Sequence, residues 1–147
     1  MMEIKQGIPK ERINEILKWS YEFFNKLMNG NEFKWYLKEV TNWDKSILLL
    51  NENNEIKGAY LFGDNQLLHE RFENLKGVEG VLLAIDKDIR GQGWGDKLKE
   101  YPKTLGVDYI WGQQLKGLNN LNDWLKRREL IGENEEIYIT VEIYKNK

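Results

Sequence analysis

The sequence predicts a mixed α/β (α+β) fold, with helices flanking a mostly antiparallel sheet that contains one central parallel pair. Three observations predict it. Apolar residues recur at helical spacing near the start, at Ile13, Leu17, Tyr21, Phe24 and Met28. A strand, a helix and a second strand follow one another between Val78 and Trp111, an order that implies a right-handed parallel crossover. The end alternates, with Ile137, Ile139, Val141 and Ile143 on one side and Tyr138, Thr140, Glu142 and Tyr144 on the other, as in a half-buried antiparallel strand.

In chain order, Glu3–Gln6 suits a short edge strand, interrupted by Gly7 and by Pro9, a residue favoured at the start of a helix. The first helix then runs to Met28, with a wide aromatic face, and Asn29-Gly30-Asn31 ends it by turn chemistry. Glu32–Val40 reads as a second helix and Thr41–Asp44 as a connector. Ile47–Leu50 and Lys57–Phe62 read as two strands joined by the turn Asn51–Asn54, a hairpin. Asp64–Lys76 suits either a short helix or an irregular strand and loop. Val78–Ile85 is the central strand and Trp94–Leu105 a helix that Pro102 should kink or shorten. Val107–Trp111 is a strand and Leu118–Arg128 a helix, followed by the final strand Ile137–Tyr144.

Composition narrows the function. A chain of 147 residues suits one domain, 1–147, with one core. It has no cysteine, which excludes disulfides, thiol nucleophiles and thiolate metal sites and fits a reducing cytoplasm. One histidine, His69, rules out a multi-histidine zinc site, so no metal is expected. A net charge of -2 argues against a nucleic-acid partner bound by a broad basic field. The first residues lack the apolar core of a signal peptide, and no apolar run spans a bilayer, so no membrane partner is expected.

The most specific signal is the corner Val78–Lys97, where an apolar strand turns through Arg90-Gly91-Gln92-Gly93-Trp94-Gly95 into a helix. Glycines there let backbone N–H groups approach a ligand, and the free N–H groups of a first helical turn attract an anion such as a pyrophosphate. Walker A spacing fails, since Gly-Trp-Gly-Asp stands where Gly-Lys-Ser/Thr is needed, and the Rossmann spacing fails as well. The competing reading is that the glycines only shape a tight turn.

Ile85, Arg90, Gly93 and Gly95, at the spacing Arg/Gln-x-x-Gly-x-Gly/Ala after a strand, resemble the acyl-CoA-binding motif of the GNAT superfamily of N-acetyltransferases. The element order of nearly the whole chain fits that family. The resemblance implies acetyl-CoA as cosubstrate and direct transfer of its acetyl group to a primary amine, on a small molecule or a peptide. It implies a β-bulge that splays the central strand from its parallel neighbour, with the pantetheine arm against Leu83, Ala84 and Ile85. It implies a pyrophosphate held by Arg90, Gly91, Gln92, Gly93, Trp94, Gly95 and Asp96. Asn119, and Asn122 beside it, match a helix from which an asparagine often touches the cofactor; a helix cap or a solvated face is the competing reading. Trp94 either packs in the core, the favoured reading, or covers the cofactor. Dimers are common in the family, so a homodimer is allowed.

Glu79, six residues before Ile85, is the candidate base; the resemblance is to a glutamate of the histone-acetylating branch. A carboxylate withdrawn from water holds protons more tightly, which suits a base near neutrality. The competing reading is a solvated or salt-bridged glutamate. The acid departs from the pattern. Leu125, in Asp123–Leu130, stands where many family members carry a tyrosine before a Tyr-x-x-x-Gly-Phe-like ending, leaving Tyr101, Tyr109 and Tyr138 as fallbacks. That gap supports an alternative, a catalytically weak CoA-binding sensor or interaction module of the same fold. Lys126-Arg127-Arg128 reads as a solvated face or as a contact to the CoA 3′-phosphate or an acidic substrate, His69 as a surface or core-packing residue, and Trp19, Trp35 and Trp43 as packing or an acceptor pocket.

Overall fold

The computed structural model describes residues 1–25, 28–117 and 121–144. Strands β1 (Glu3–Gln6), β2 (Thr41–Leu50), β3 (Ile56–Gly63), β4 (Gly77–Ile85), β5 (Tyr109–Leu115), β6 (Glu129–Glu133) and β7 (Ile137–Ile143) form one sheet in the order β1-β2-β3-β4-β5-β7-β6. Every neighbouring pair is antiparallel except β4 and β5, which are parallel. Helices α1 (Ile13–Tyr21) and α2 (Gly30–Val40) cover one face, where Ile16, Leu17, Phe33 and Leu37 pack on Leu48, Leu50, Ala59 and Leu61. Helices α3 (Trp94–Glu100) and α4 (Leu121–Arg127) cover the other, where Leu98 and Trp124 meet Ile47, Tyr60, Phe62, Val78 and Ile110. With both faces covered, Ile47–Leu50 is buried on both sides, which is why it reads as a continuous apolar run rather than an alternating one.

Several elements differ from expectation. α1 stops at Tyr21, whose hydroxyl donates to the Met28 carbonyl (2.9 Å). Asn29 does not end that helix but caps the next, its side chain accepting from the N–H groups of Asn31 (2.9 Å) and Glu32 (3.3 Å). Thr41–Asp44 belongs to β2, because Asn42 caps the N–H groups of Asp44 and Lys45 and Ser46 bridges the irregular register that follows. Pro102 shortens its helix as expected: it has no N–H to continue an α-helix, so α3 ends at Glu100 and the chain tightens into a 3-10 helix over Tyr101–Leu105. The edge strand β6 was not expected; it is short and its register slips between Leu130 and Gly132, which removes the alternation that would mark it. Gly112–Leu115 extend β5 past the expected Trp111.

Two features position the site. In β4, Leu82 pairs with Leu61 and Gly80 with Phe62, so Val81 is an extra residue, a β-bulge. β4 and β5 pair only through Gly77–Tyr109, Val78–Ile110 and Glu79–Trp111. Beyond that point the strands part, and Gly112–Leu115 pair with β7 alone.

Candidate active site

The parting of β4 and β5 opens a cleft of about 640 Å³. Its floor is Glu79–Ile85 of β4, and its mouth is the turn holding Arg90, Gly91, Gly93, Trp94 and Gly95. The turn is fixed from inside. Ile89 is buried, the Asp86 N–H donates to the Lys57 carbonyl (2.8 Å), and Arg90 Nε donates to the Ile85 carbonyl (3.2 Å). Gly91 and Gly93 have φ of +82° and +86°, values that L side chains avoid, and no atom lies within 4 Å of where a Cβ would stand on either. These glycines are therefore not demanded by packing. They leave the backbone open on the cleft side, as a phosphate cradle requires. Among the described residues Gln92 and Asp96 are exposed and do not line the cleft; Asn119 lies outside the described residues.

Trp94 belongs to no core cluster. It stands half-buried at the cleft mouth with Lys97 Nζ 4.3 Å from its ring centroid, so the favoured packing reading is replaced by a place on the cleft wall. Lys99 also lines the cleft. Burial, then the nearby Arg127 charge, pulls its ammonium below the usual value.

Glu79 is only 2 % exposed and faces the α1/α2 side. Tyr36 Oη donates to its Oε2 (2.8 Å) and Asn65 Nδ2 to its Oε1 (3.1 Å). No cation pairs with it among the described residues, so it is neither solvated nor salt-bridged. Burial, then the Glu79 charge, pushes the Tyr36 phenol well above its usual range, which keeps Tyr36 a donor near neutral pH.

None of the fallback tyrosines lines the cleft. The Tyr101 hydroxyl bonds Gln6, the Tyr109 oxygen accepts from the Leu67 N–H (3.0 Å), and Tyr138 lies under Lys116. Trp19, Trp35 and Trp43 are also absent from it, and Trp35 is 64 % exposed. The cleft wall on the α1/α2 side is instead Phe23, Phe24, Met28, Phe33, Tyr36 and Leu37, part of the aromatic helical pattern visible in the sequence. Lys126–Arg128 is not one solvated face. Lys126 is exposed, Arg127 pairs with Glu100 (2.5 Å), and Arg128 is buried in the cleft. His69 caps a 3-10 turn, its Nδ1 accepting from the Arg71 N–H (3.1 Å).

This arrangement of sheet and flanking helices is shared, over nearly the whole chain, by solved structures. The chain has the GNAT fold. PH1933 from Pyrococcus horikoshii OT3 is 18% identical, with 99% of this chain and 100% of that one covered and a TM-score of 0.73. A GNAT-family acetyltransferase from Staphylococcus aureus Mu50 is 12% identical, with 97% and 99% covered and a TM-score of 0.73. The PaiA N-acetyltransferase of Thermoplasma acidophilum, solved in complex with coenzyme A, is 8% identical, with 98% and 99% covered and a TM-score of 0.66. No family model and no curated protein sequence matches the chain. No described helix is long and apolar enough to cross a membrane.

Proposed function

We infer that the protein is an acyl-CoA-dependent N-acetyltransferase, moving an acetyl group from acetyl-CoA directly to a primary amine. The observation that carries this is the gap between β4 and β5, which leaves Leu83–Ile85 without a partner strand on the β5 side beside an open glycine turn. An extended amide-bearing arm such as pantetheine can pair with that free strand edge as a third strand would. The turn Arg90–Gly95 takes the pyrophosphate through backbone N–H groups, with Lys99 adding charge.

Glu79 is the base. Its carboxylate takes the proton of the attacking amine, and Tyr36 and Asn65 hold it in place. Backbone N–H groups near Leu83–Ile85 face the developing oxyanion. The acceptor approaches along Phe23, Phe24, Phe33 and Tyr36, a wall that favours an amine carried on an apolar or aromatic body, whether small molecule or peptide. A chain without cysteine suits the cytoplasm, where acetyl-CoA is available.

Thermal shift with saturating acetyl-CoA tests the cosubstrate. A rise in Tm is expected, and an unmoved Tm overturns the reading. A panel of amines with thiol detection then tests transfer. Leu125 in place of a tyrosine favours the second reading, a CoA-binding sensor; a Tm shift without turnover on any amine would support it.

A further inference from the structure

Among the described residues, Arg128 has no counterion. It is 6 % exposed, yet no carboxylate stands within ion-pair distance of it among the described residues. Its guanidinium lies over the Trp124 ring (4.3 Å to the centroid), Nη2 donates to the Tyr60 hydroxyl (3.0 Å), and Nε is buried with no partner. A buried cation kept without an anion is costly unless something negative joins it. Arg128 lines the cleft, so an anion can reach it.

Its position says which anion. An ideal Cβ on Gly112 would stand 3.0 Å from the Gly80 carbonyl oxygen and 3.1 Å from Arg128 Nη1. Gly80 and Gly112 are the residues that directly follow the last β4–β5 pair, Glu79–Trp111. Arg128 therefore reaches the apex of the gap. Travelling from the glycine turn along Leu83–Ile85, an acyl-CoA arm ends at this apex, with its sulfur foremost after the acyl group. Arg128 comes from the α3/α4 face and Glu79 serves the opposite one.

We propose that Arg128 receives the coenzyme A thiolate as it leaves, so that the reaction needs no tyrosine acid. The amine lone pair forms the C–N bond to the acyl carbon. The C–S bond breaks and its electron pair stays on sulfur, held by Arg128 N–H groups. The surplus amine proton passes to Glu79 and then to water. Arg128 keeps its own proton throughout. This rests on the coenzyme A reading above.

Calorimetric affinities of coenzyme A and acetyl-CoA, at about pH 6.5 and about pH 9.5, bracket an ordinary thiol value of about 8.5 and test it. The other ionisable groups around Arg128 are Tyr60 on β3, Lys99 on α3, Arg127 on α4, and Glu142 and Tyr144 at the end of β7, with Glu79 and Glu136 on the cleft walls. Their titration affects both ligands, and only coenzyme A carries the thiol, so the ratio of the two affinities isolates it. In the wild type the ratio should move about tenfold toward coenzyme A at the higher pH, the equivalent of one pKa unit. Arg128→Gln should flatten this change and Arg128→Lys should retain part of it. A wild-type ratio that does not move with pH, while both ligands bind, overturns the thiolate assignment and leaves the cosubstrate reading standing. If neither ligand binds, both fall.

Discussion

Tyr36 Oη donates a 2.8 Å hydrogen bond to Glu79 Oε2, tying α2 to the central strand at the point where the sheet opens. With Asn65 it gives the buried carboxylate two donors on two different oxygens. Glu79→Gln should lower turnover by about 10²–10⁴-fold with acetyl-CoA affinity unchanged. Steady-state kinetics beside calorimetry checks this, and unchanged turnover removes Glu79 as the base. Tyr36→Phe should destabilise the fold by about 1–3 kcal/mol, read by denaturant titration, because a buried charged acceptor loses a donor.

Gly93→Val separates folding from binding. Open space surrounds the Cβ position, so the only structural cost is a side chain forced to φ +86°. That amounts to about 1–2 kcal/mol. The variant should fold with a modestly lower Tm while acetyl-CoA no longer raises it. A full ligand-induced shift in the variant would show that the turn does not cradle phosphate.

Ser46→Ala tests the irregular stretch of β2. The Ser46 hydroxyl donates to the Asn42 carbonyl (2.8 Å) and accepts from the buried Phe62 N–H (2.9 Å), closing the ladder across the register shift. Its loss should cost about 1–3 kcal/mol, measured by chemical denaturation. A change of a few tenths would mean that the strand relaxes to close the gap itself.

The Lys45 ammonium, and then the Asn42 amide, hold the Asp64 carboxyl below its usual value. A carboxylate favoured in the folded state adds stability above its unfolded value of about 3.9, and that stability is lost as pH falls through the lower folded value. Because the Asp64 side chain is 59% exposed, the contribution is small, at most about 1 kcal/mol. Asp64→Asn should lower Tm slightly at neutral pH, with the difference from wild type vanishing as pH falls through the lowered folded value. A difference that persists in acid would mean that packing, not charge, is responsible.

The parallel crossover and the glycine turn were legible because spacing carries them. Val78–Ile85, Arg90–Gly95 and the helix after them are local in sequence. What spacing could not carry were contacts closed over long separations. Asn29 was read as the end of one helix because turn chemistry and N-capping use the same residue type. Phe23 and Phe33 line the cleft while Trp19 and Trp43 pack beside them, a division that depends on where α1 stops. Arg128 sits in a basic run that resembles a solvated face; only the approach of Tyr60, from a strand 68 residues away, shows it to be buried.

The cleft is walled by Tyr36 and Phe33 from one face of the sheet and by Trp124 and Arg128 from the other. On the proposed reading the two reactants arrive from opposite faces, so they do not compete for one doorway, and neither has to depart before the other can enter. Initial-rate plots for both substrates should therefore intersect, the pattern of a ternary complex. Parallel lines would require an acylated side chain to carry the group between half-reactions, and the chain has no cysteine to serve as one.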